Sequence, residues 1–143
     1  MTRINVVPVV DLMDQHVQAE YFELPRIFKL VSNHWLKDRK PEDLNIPDAY
    51  SLGEGHMRFF YDKLLYLQQR HQQLFNEGTR RSLNLQVDPD VGDYFLPPKA
   101  EAWWNDYTPT PEAIRENQER IAYKISLHPQ WYRYEGIPFN HFT

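Results

Sequence analysis

The residues best suited to chemistry stand at the start of the chain, Met1-Thr2-Arg3-Ile4-Asn5. Thr2 is small, so loss of the initiator Met1 is expected and leaves the Thr2 α-amine as the terminus. Such an amine has an ordinary pKa of about 8, well below that of lysine. A useful fraction is neutral and nucleophilic near neutral pH without the burial that lysine needs. It can attack the anomeric carbon of a deoxyribose, displace the base and form a Schiff base. If Met1 stayed, the Thr2 nitrogen would be an unreactive amide. Every protein has an N-terminus, so this feature alone selects nothing.

The segment from Asp14 to Arg26 adds to it. On a helix His16, Glu20 and Glu23 recur at spacings of four and three and share one face. Arg26 follows Glu23 by three residues and can pair with it or grip a phosphate. A carboxylate beside an amine can stabilise an oxocarbenium-like sugar and shuttle the proton of an elimination. The same spacing suits an amphipathic helix whose charges are merely solvated, and spacing alone favours that plainer reading.

Three helices are expected to position these groups. The first runs from about Val9 to Lys37 and is bent at Pro25, which lacks an amide donor. The second starts near Gly55, passes through Phe59, Phe60, Leu64, Leu67 and Leu74, and stops at Gly78. The third has Thr110 as N-cap, Pro111 at its first position and Glu112 in its first turn. Its buried side carries Ala113, Ile114, Ile121, Ala122 and Ile125. Residues 79–109, rich in proline, aspartate and aromatics, read as a packed loop that includes Trp103, Trp104 and Tyr107. No strand alternation stands out. The fold class is therefore all-α, one domain over residues 1–143 with long ordered loops.

Composition narrows the function. The 143 residues include no cysteine, which removes disulfides, thiolate nucleophiles and Cys-containing metal sites. No histidine pair has metal-ligand spacing, so no metal or other cofactor is expected. His34 and His56 read as structural, and His71, His128 and His141 as surface residues. Gly53-Glu54-Gly55 reads as a turn before a helix; it lacks the lysine and Ser/Thr of a phosphate-binding loop. No apolar stretch suits a signal peptide or a membrane span, so a cytoplasmic location is expected. The net charge of −4 opposes strong non-specific DNA binding. The excess is local, because residues 41–110 carry six basic and eleven acidic side chains. Residues 1–40 carry six and five, and 111–143 carry four of each, which leaves room for a positive face.

The chain resembles the pyrimidine-dimer DNA glycosylase/abasic-site lyases of T-even phages, the endonuclease V family. The resemblance runs through Thr2-Arg3-Ile4-Asn5, Asp14-Gln15-His16, Ala19-Glu20-Tyr21 and Glu23-Leu24-Pro25-Arg26. It returns at Gly53-Glu54-Gly55-His56 and Phe59-Phe60-Tyr61-Asp62-Lys63-Leu64 without a shift of register. It closes on Pro129-Gln130-Trp131-Tyr132-Arg133-Tyr134 and is weakest over residues 79–109.

The resemblance implies a compact three-helix domain with its N-terminal segment threaded between helices. It assigns the nucleophile to the Thr2 amine and the catalytic carboxylate to Glu23. Arg26 would hold that glutamate and the DNA backbone, His16 would lie near the attacked sugar, and Arg3 would bind phosphate. Arg120 and Lys124 fall on the basic DNA-contacting positions of the third helix. Trp131, Tyr132 and Tyr134 match the aromatic segment that recognises damaged DNA. The implied partner is double-stranded DNA with damaged bases or abasic sites, bound by a monomer. The implied reaction is glycosylase and β-lyase chemistry through a Schiff base, probing the duplex by extruding a base.

Two positions depart from the family pattern. Phe22 replaces a DNA-contacting arginine and can wedge or stack on a base but cannot bind phosphate. Gln86 replaces a lysine. Together with the acidic balance they open two alternatives: the same chemistry on another damaged or modified base, or a non-catalytic binder of distorted DNA.

Overall fold

Helix formation begins later than the hydrophobic spacing predicts. The computed structural model describes residues 3–85 and 100–142. Val9–Asp11 form a single 3-10 turn, Leu12 and Met13 are extended, and helix α1 spans Asp14–Glu23. The cause is Arg81, whose guanidinium donates to the carbonyls of Val9, Val10 and Leu12. Carbonyls satisfied in this way no longer need the amides of a helical turn.

The bend at Pro25 is where the sequence places it. Leu24 keeps helical dihedrals and its amide reaches the Glu20 carbonyl at 2.9 Å. Pro25 then opens α2, Pro25–Leu36, at the position where a missing amide is tolerated. The two helices together form the first expected helix.

The second expected helix is divided. A short helix α3, His56–Phe59, follows Gly55, which is left-handed at φ 82°. The chain then turns through residues 60–63 before α4, Leu64–Arg80. The break is stabilised by side chains: Lys63 Nζ donates to the Phe59 carbonyl at 2.8 Å, and Asn105 Nδ2 to the Asp62 carbonyl at 2.8 Å. Gly78 does not end α4. Leu85 folds back over it, and a β-carbon there would collide with the Leu85 side chain. Gly78 is thus a contact residue inside the helix, and α4 runs on to Arg80.

The last long helix, α5, spans Pro111–Leu127 and starts as expected, with Thr110 Oγ1 accepting from the Ala113 amide at 3.0 Å. Beyond it the sequence reading missed a hairpin of two short strands, β1 (Arg133–Tyr134) and β2 (Ile137–Pro138). Its turn residues Glu135 and Gly136 both have positive φ, the two-residue hairpin geometry that Gly favours.

The core joins Val17 and Tyr21 of α1 and Leu24 at its end with Ile27, Phe28 and Val31 of α2 and Leu64, Leu67 and Leu74 of α4. Ile4, Val6 and Val7 are buried in the same cluster, so the N-terminal segment runs inside the helical scaffold. Trp103 is buried and Tyr107 packs on Phe59, Phe60 and Tyr66, so this part of the long loop is packing. Among the described residues no helix is long and apolar enough to cross a membrane.

Candidate active site

Residues 4–7 belong to no helix or strand and are held by side chains from several helices. The Ile4 amide donates to His56 Nε2 at 2.8 Å, and Tyr50 Oη donates to the Ile4 carbonyl at 3.1 Å. His56 Nδ1 faces the Ser51 carbonyl at 2.7 Å, so Nδ1 carries the hydrogen and Nε2 is the acceptor. Burial pushes the His56 pKa down to about 4; the Ser51 bond opposes the fall and the charge of Arg3 adds to it. The structural role expected for His56 is therefore to hold the N-terminal segment.

Further along, Val6 and Val7 amides both donate to Asn117 Oδ1 of α5, at 2.7 and 3.1 Å. Arg70 of α4 donates to the Val7 carbonyl at 2.7 Å and to both Glu20 oxygens. Burial works against the Arg70 charge, but the Glu20 carboxylate outweighs it and holds the guanidinium pKa above its usual value.

Beside this segment lies a cavity of about 430 Å³. Arg3 and Asn5 form its N-terminal wall, and α1 contributes His16, Ala19, Glu20 and Glu23. Arg120, Ile121 and Lys124 of α5 face them, and Tyr132 closes the end. His16 stacks on Tyr132 with ring centroids 4.9 Å apart. Its pKa is pushed down to about 4, first by burial and then by Lys124, so the imidazole is neutral at physiological pH. His16 Nδ1 and Arg120 Nε are buried with no hydrogen-bond partner. Burial and the charge of Arg120 lower the pKa of Arg3. A cavity with two guanidiniums, an ammonium and one part-exposed carboxylate can hold an anionic ligand while keeping a proton carrier beside it.

Six of the residues expected at the site thus meet in one cavity: Arg3, His16, Glu23, Arg120, Lys124 and Tyr132. Arg26 stands just outside, 3.9 Å from Glu23 Oε1 and mostly exposed. Phe22 is 46% exposed on α1, edge-on to Tyr21, and does not line the cavity. Trp131 is 54% exposed and packs edge-on against Tyr132.

Tyr134 lies elsewhere, with Arg81 over its ring at 4.2 Å and its hydroxyl donating to the Val10 carbonyl. Its place is in docking the hairpin. Thr2 and Gln86 lie outside the described residues.

Two readings need correction or extension. His71 is fully buried, stacked on Tyr21 at 4.3 Å with Nε2 3.0 Å from the Tyr21 carbonyl, because it continues the Leu67–Leu74 stripe of α4. His128 and His141 are exposed as expected. The sequence reading missed Asn5, Arg70 and Asn117. A signal existed, since Arg70 and Asn117 are polar residues at helical spacing from apolar ones, Leu67 and Leu74 on α4 and Ala113 and Ile121 on α5.

These features define a helical protein that encloses its own N-terminal segment beside a cavity lined by Arg3, Arg120 and Lys124. The chain belongs to the pyrimidine dimer DNA glycosylase family: residues 1–89, more than half of it, match that family's sequence profile. It is thus a DNA-repair glycosylase of a family that acts on DNA carrying pyrimidine dimers. The matched region supplies Arg3, His16 and Glu23, while Arg120, Lys124 and Tyr132 come from beyond it.

Proposed function

We propose that the protein is a cofactor-free glycosylase and abasic-site β-lyase for cyclobutane pyrimidine dimers in duplex DNA, with the Thr2 α-amine as nucleophile. The observation that carries this reading is that Arg3, bonded directly to Thr2, lines one cavity with His16, Glu23 and the α5 cations Arg120 and Lys124. In the first step the amine attacks C1′ of the 5′ pyrimidine nucleotide, its N–H proton passes to Glu23, and the C1′–N1 bond breaks; the base, protonated by water, stays attached through the cyclobutane ring to its 3′ neighbour. The C1′–O4′ bond then opens as O4′ takes a proton from Glu23, leaving a Schiff base between C1′ and the amine. Loss of a C2′ proton, accepted by the Glu23 carboxylate, expels the 3′ phosphate by β-elimination. Water hydrolyses the imine and restores the amine. Arg3, Arg120 and Lys124 hold the flanking phosphates, where charge-assisted bonds are strong.

The test is borohydride trapping on abasic-site and dimer-containing duplexes, with the N-terminal residue checked by mass spectrometry. An adduct on the Thr2 amine with both substrates is expected, together with loss of nicking but retained damaged-DNA binding in Glu23→Gln. Full cleavage by Glu23→Gln would remove Glu23 from the mechanism. No adduct from protein that starts at Thr2 would leave a non-catalytic binder of distorted DNA. One observation favours a second lesion class: the exposed Phe22 offers a stacking surface on α1. A panel of single-lesion duplexes decides, and a clear preference for dimers rejects it.

A further inference from the structure

We infer that Asn117, at the middle of α5, is the positioning residue that sets where the reactive amine stands relative to the DNA-holding cations; this rests on the Thr2 reading above. Asn117 is fully buried and does not line the cavity, so it has no route to substrate. It occupies the apolar stripe between Ala113 and Ile121, where a hydrocarbon side chain would be the simple solution. Instead its two polar atoms are both used. Oδ1 accepts from the amides of Val6 and Val7, and Nδ2 donates to Asn5 Oδ1 at 2.8 Å.

Asn5 Nδ2 in turn donates to Glu20 Oε1 at 2.9 Å, and Arg70 closes the ring by binding both Glu20 and the Val7 carbonyl. Donation runs one way, from the Val6 and Val7 amides to Asn117, from Asn117 to Asn5 and from Asn5 to the Glu20 carboxylate, which also accepts from Arg70. Turning over either amide would set acceptor against acceptor or donor against donor. The segment therefore has one register against α1 and α5. Arg120 and Lys124 lie three and seven residues beyond Asn117 on the same helix face. One rigid helix thus carries both the anchor for the nucleophile's strand and the grip on the substrate. A slip of one residue would shift that strand by about 3.3 Å, and displacement by ~1 Å already costs roughly 100-fold in rate.

The experiment measures single-turnover borohydride trapping on saturating abasic duplex, with the Kd for the same duplex measured separately. Asn117→Ala is expected to trap at least tenfold more slowly while Kd stays within about threefold. Asn117→Gln keeps an oxygen for Val6 and Val7 and an amide donor for Asn5, and is expected to recover part of the rate lost in Asn117→Ala. If Asn117→Ala is unfolded by circular dichroism, Asn117→Ser is measured against the same expectations. Trapping by folded Asn117→Ala or Asn117→Ser at the wild-type rate would overturn the inference. So would parallel losses of rate and Kd that Asn117→Gln does not repair. Absence of trapping in the wild-type protein would instead overturn the Thr2 reading itself.

Discussion

Lowering the pH from 7 to 4 is expected to remove about 3 kcal/mol of folding stability through His56 alone. The ring is 1% exposed, donates from Nδ1 to the Ser51 carbonyl and accepts the Ile4 amide on Nε2. Burial disfavours the charged ring, so the folded state resists protonation and its pKa falls to about 4; a second proton on Nε2 would in addition meet the Ile4 N–H. An unfolded histidine titrates near ~6.5. Between those values the unfolded chain binds more protons than the folded one, so stability is complete above about 6.5 and is lost as pH falls toward about 4. The gap between those two values corresponds to about 3 kcal/mol, most of which has gone by pH 4. His16, also displaced to about 4, adds a loss of the same sign. The assay is urea denaturation at pH 7 and pH 4 of the wild type and of His56→Gln, whose side-chain oxygen can still accept from Ile4 but does not titrate. The variant is expected to be about 1 kcal/mol less stable at pH 7, from the lost bond to Ser51. Its acid loss should be smaller than the wild type's by about 3 kcal/mol, since carboxylates common to both cancel in the comparison. Equal acid losses in the two proteins would refute the reasoning.

Two further outcomes follow from the packing. Arg81→Met leaves Asp14 and Glu77 without their buried partner and takes a donor from the Val9, Val10 and Leu12 carbonyls, so a loss of about 3–5 kcal/mol is expected in thermal melting; a melting temperature within a few degrees of wild type would contradict the role given to Arg81. Gly78→Ala gains about 1 kcal/mol of helix propensity, yet its methyl group meets the Leu85 side chain. The overpacking costs about 1–3 kcal/mol, so calorimetry should record a lower melting temperature, and a rise would show that Leu85 moves aside freely.

Much of this was legible because it depends on local rules. The Thr110-Pro111-Glu112 start of α5 and the bend at Pro25 need only nearby residues, and the structure has both. The shared face of His16, Glu20 and Glu23 follows from helical geometry, and all three line the cavity. The start of α1 was not legible, because it is decided by Arg81, about seventy residues away. The same holds for the break before Leu64, where Asn105 takes the freed Asp62 carbonyl. Gly78 has the composition of a stop signal, but its size serves a contact with Leu85 that spacing does not reveal. His71 was misjudged because a histidine on an apolar stripe was read by residue type and not by its position. Tyr134 and Tyr132 sit two residues apart in one aromatic run, yet the hairpin sends one to Arg81 and the other to His16.

The bonds that complete the cavity join the two ends of the chain. Asn117 reaches back to Val6, Gln15 to Trp131 and Arg133, and Asp14 to the amides of Glu135 and Gly136. During synthesis none of them can form until more than four-fifths of the polypeptide has left the ribosome. Until then residues 4–7 lack the α5 side of their surroundings. On the proposal that the Thr2 amine is the nucleophile, an aminopeptidase would reach Met1 in that interval, and closure of the cavity by α5 would follow. A nascent or truncated chain ending before residue 117 would carry that amine without the wall of Arg120, Ile121 and Lys124. The order in which the ribosome delivers the residues would thus separate maturation of the proposed nucleophile from completion of the pocket.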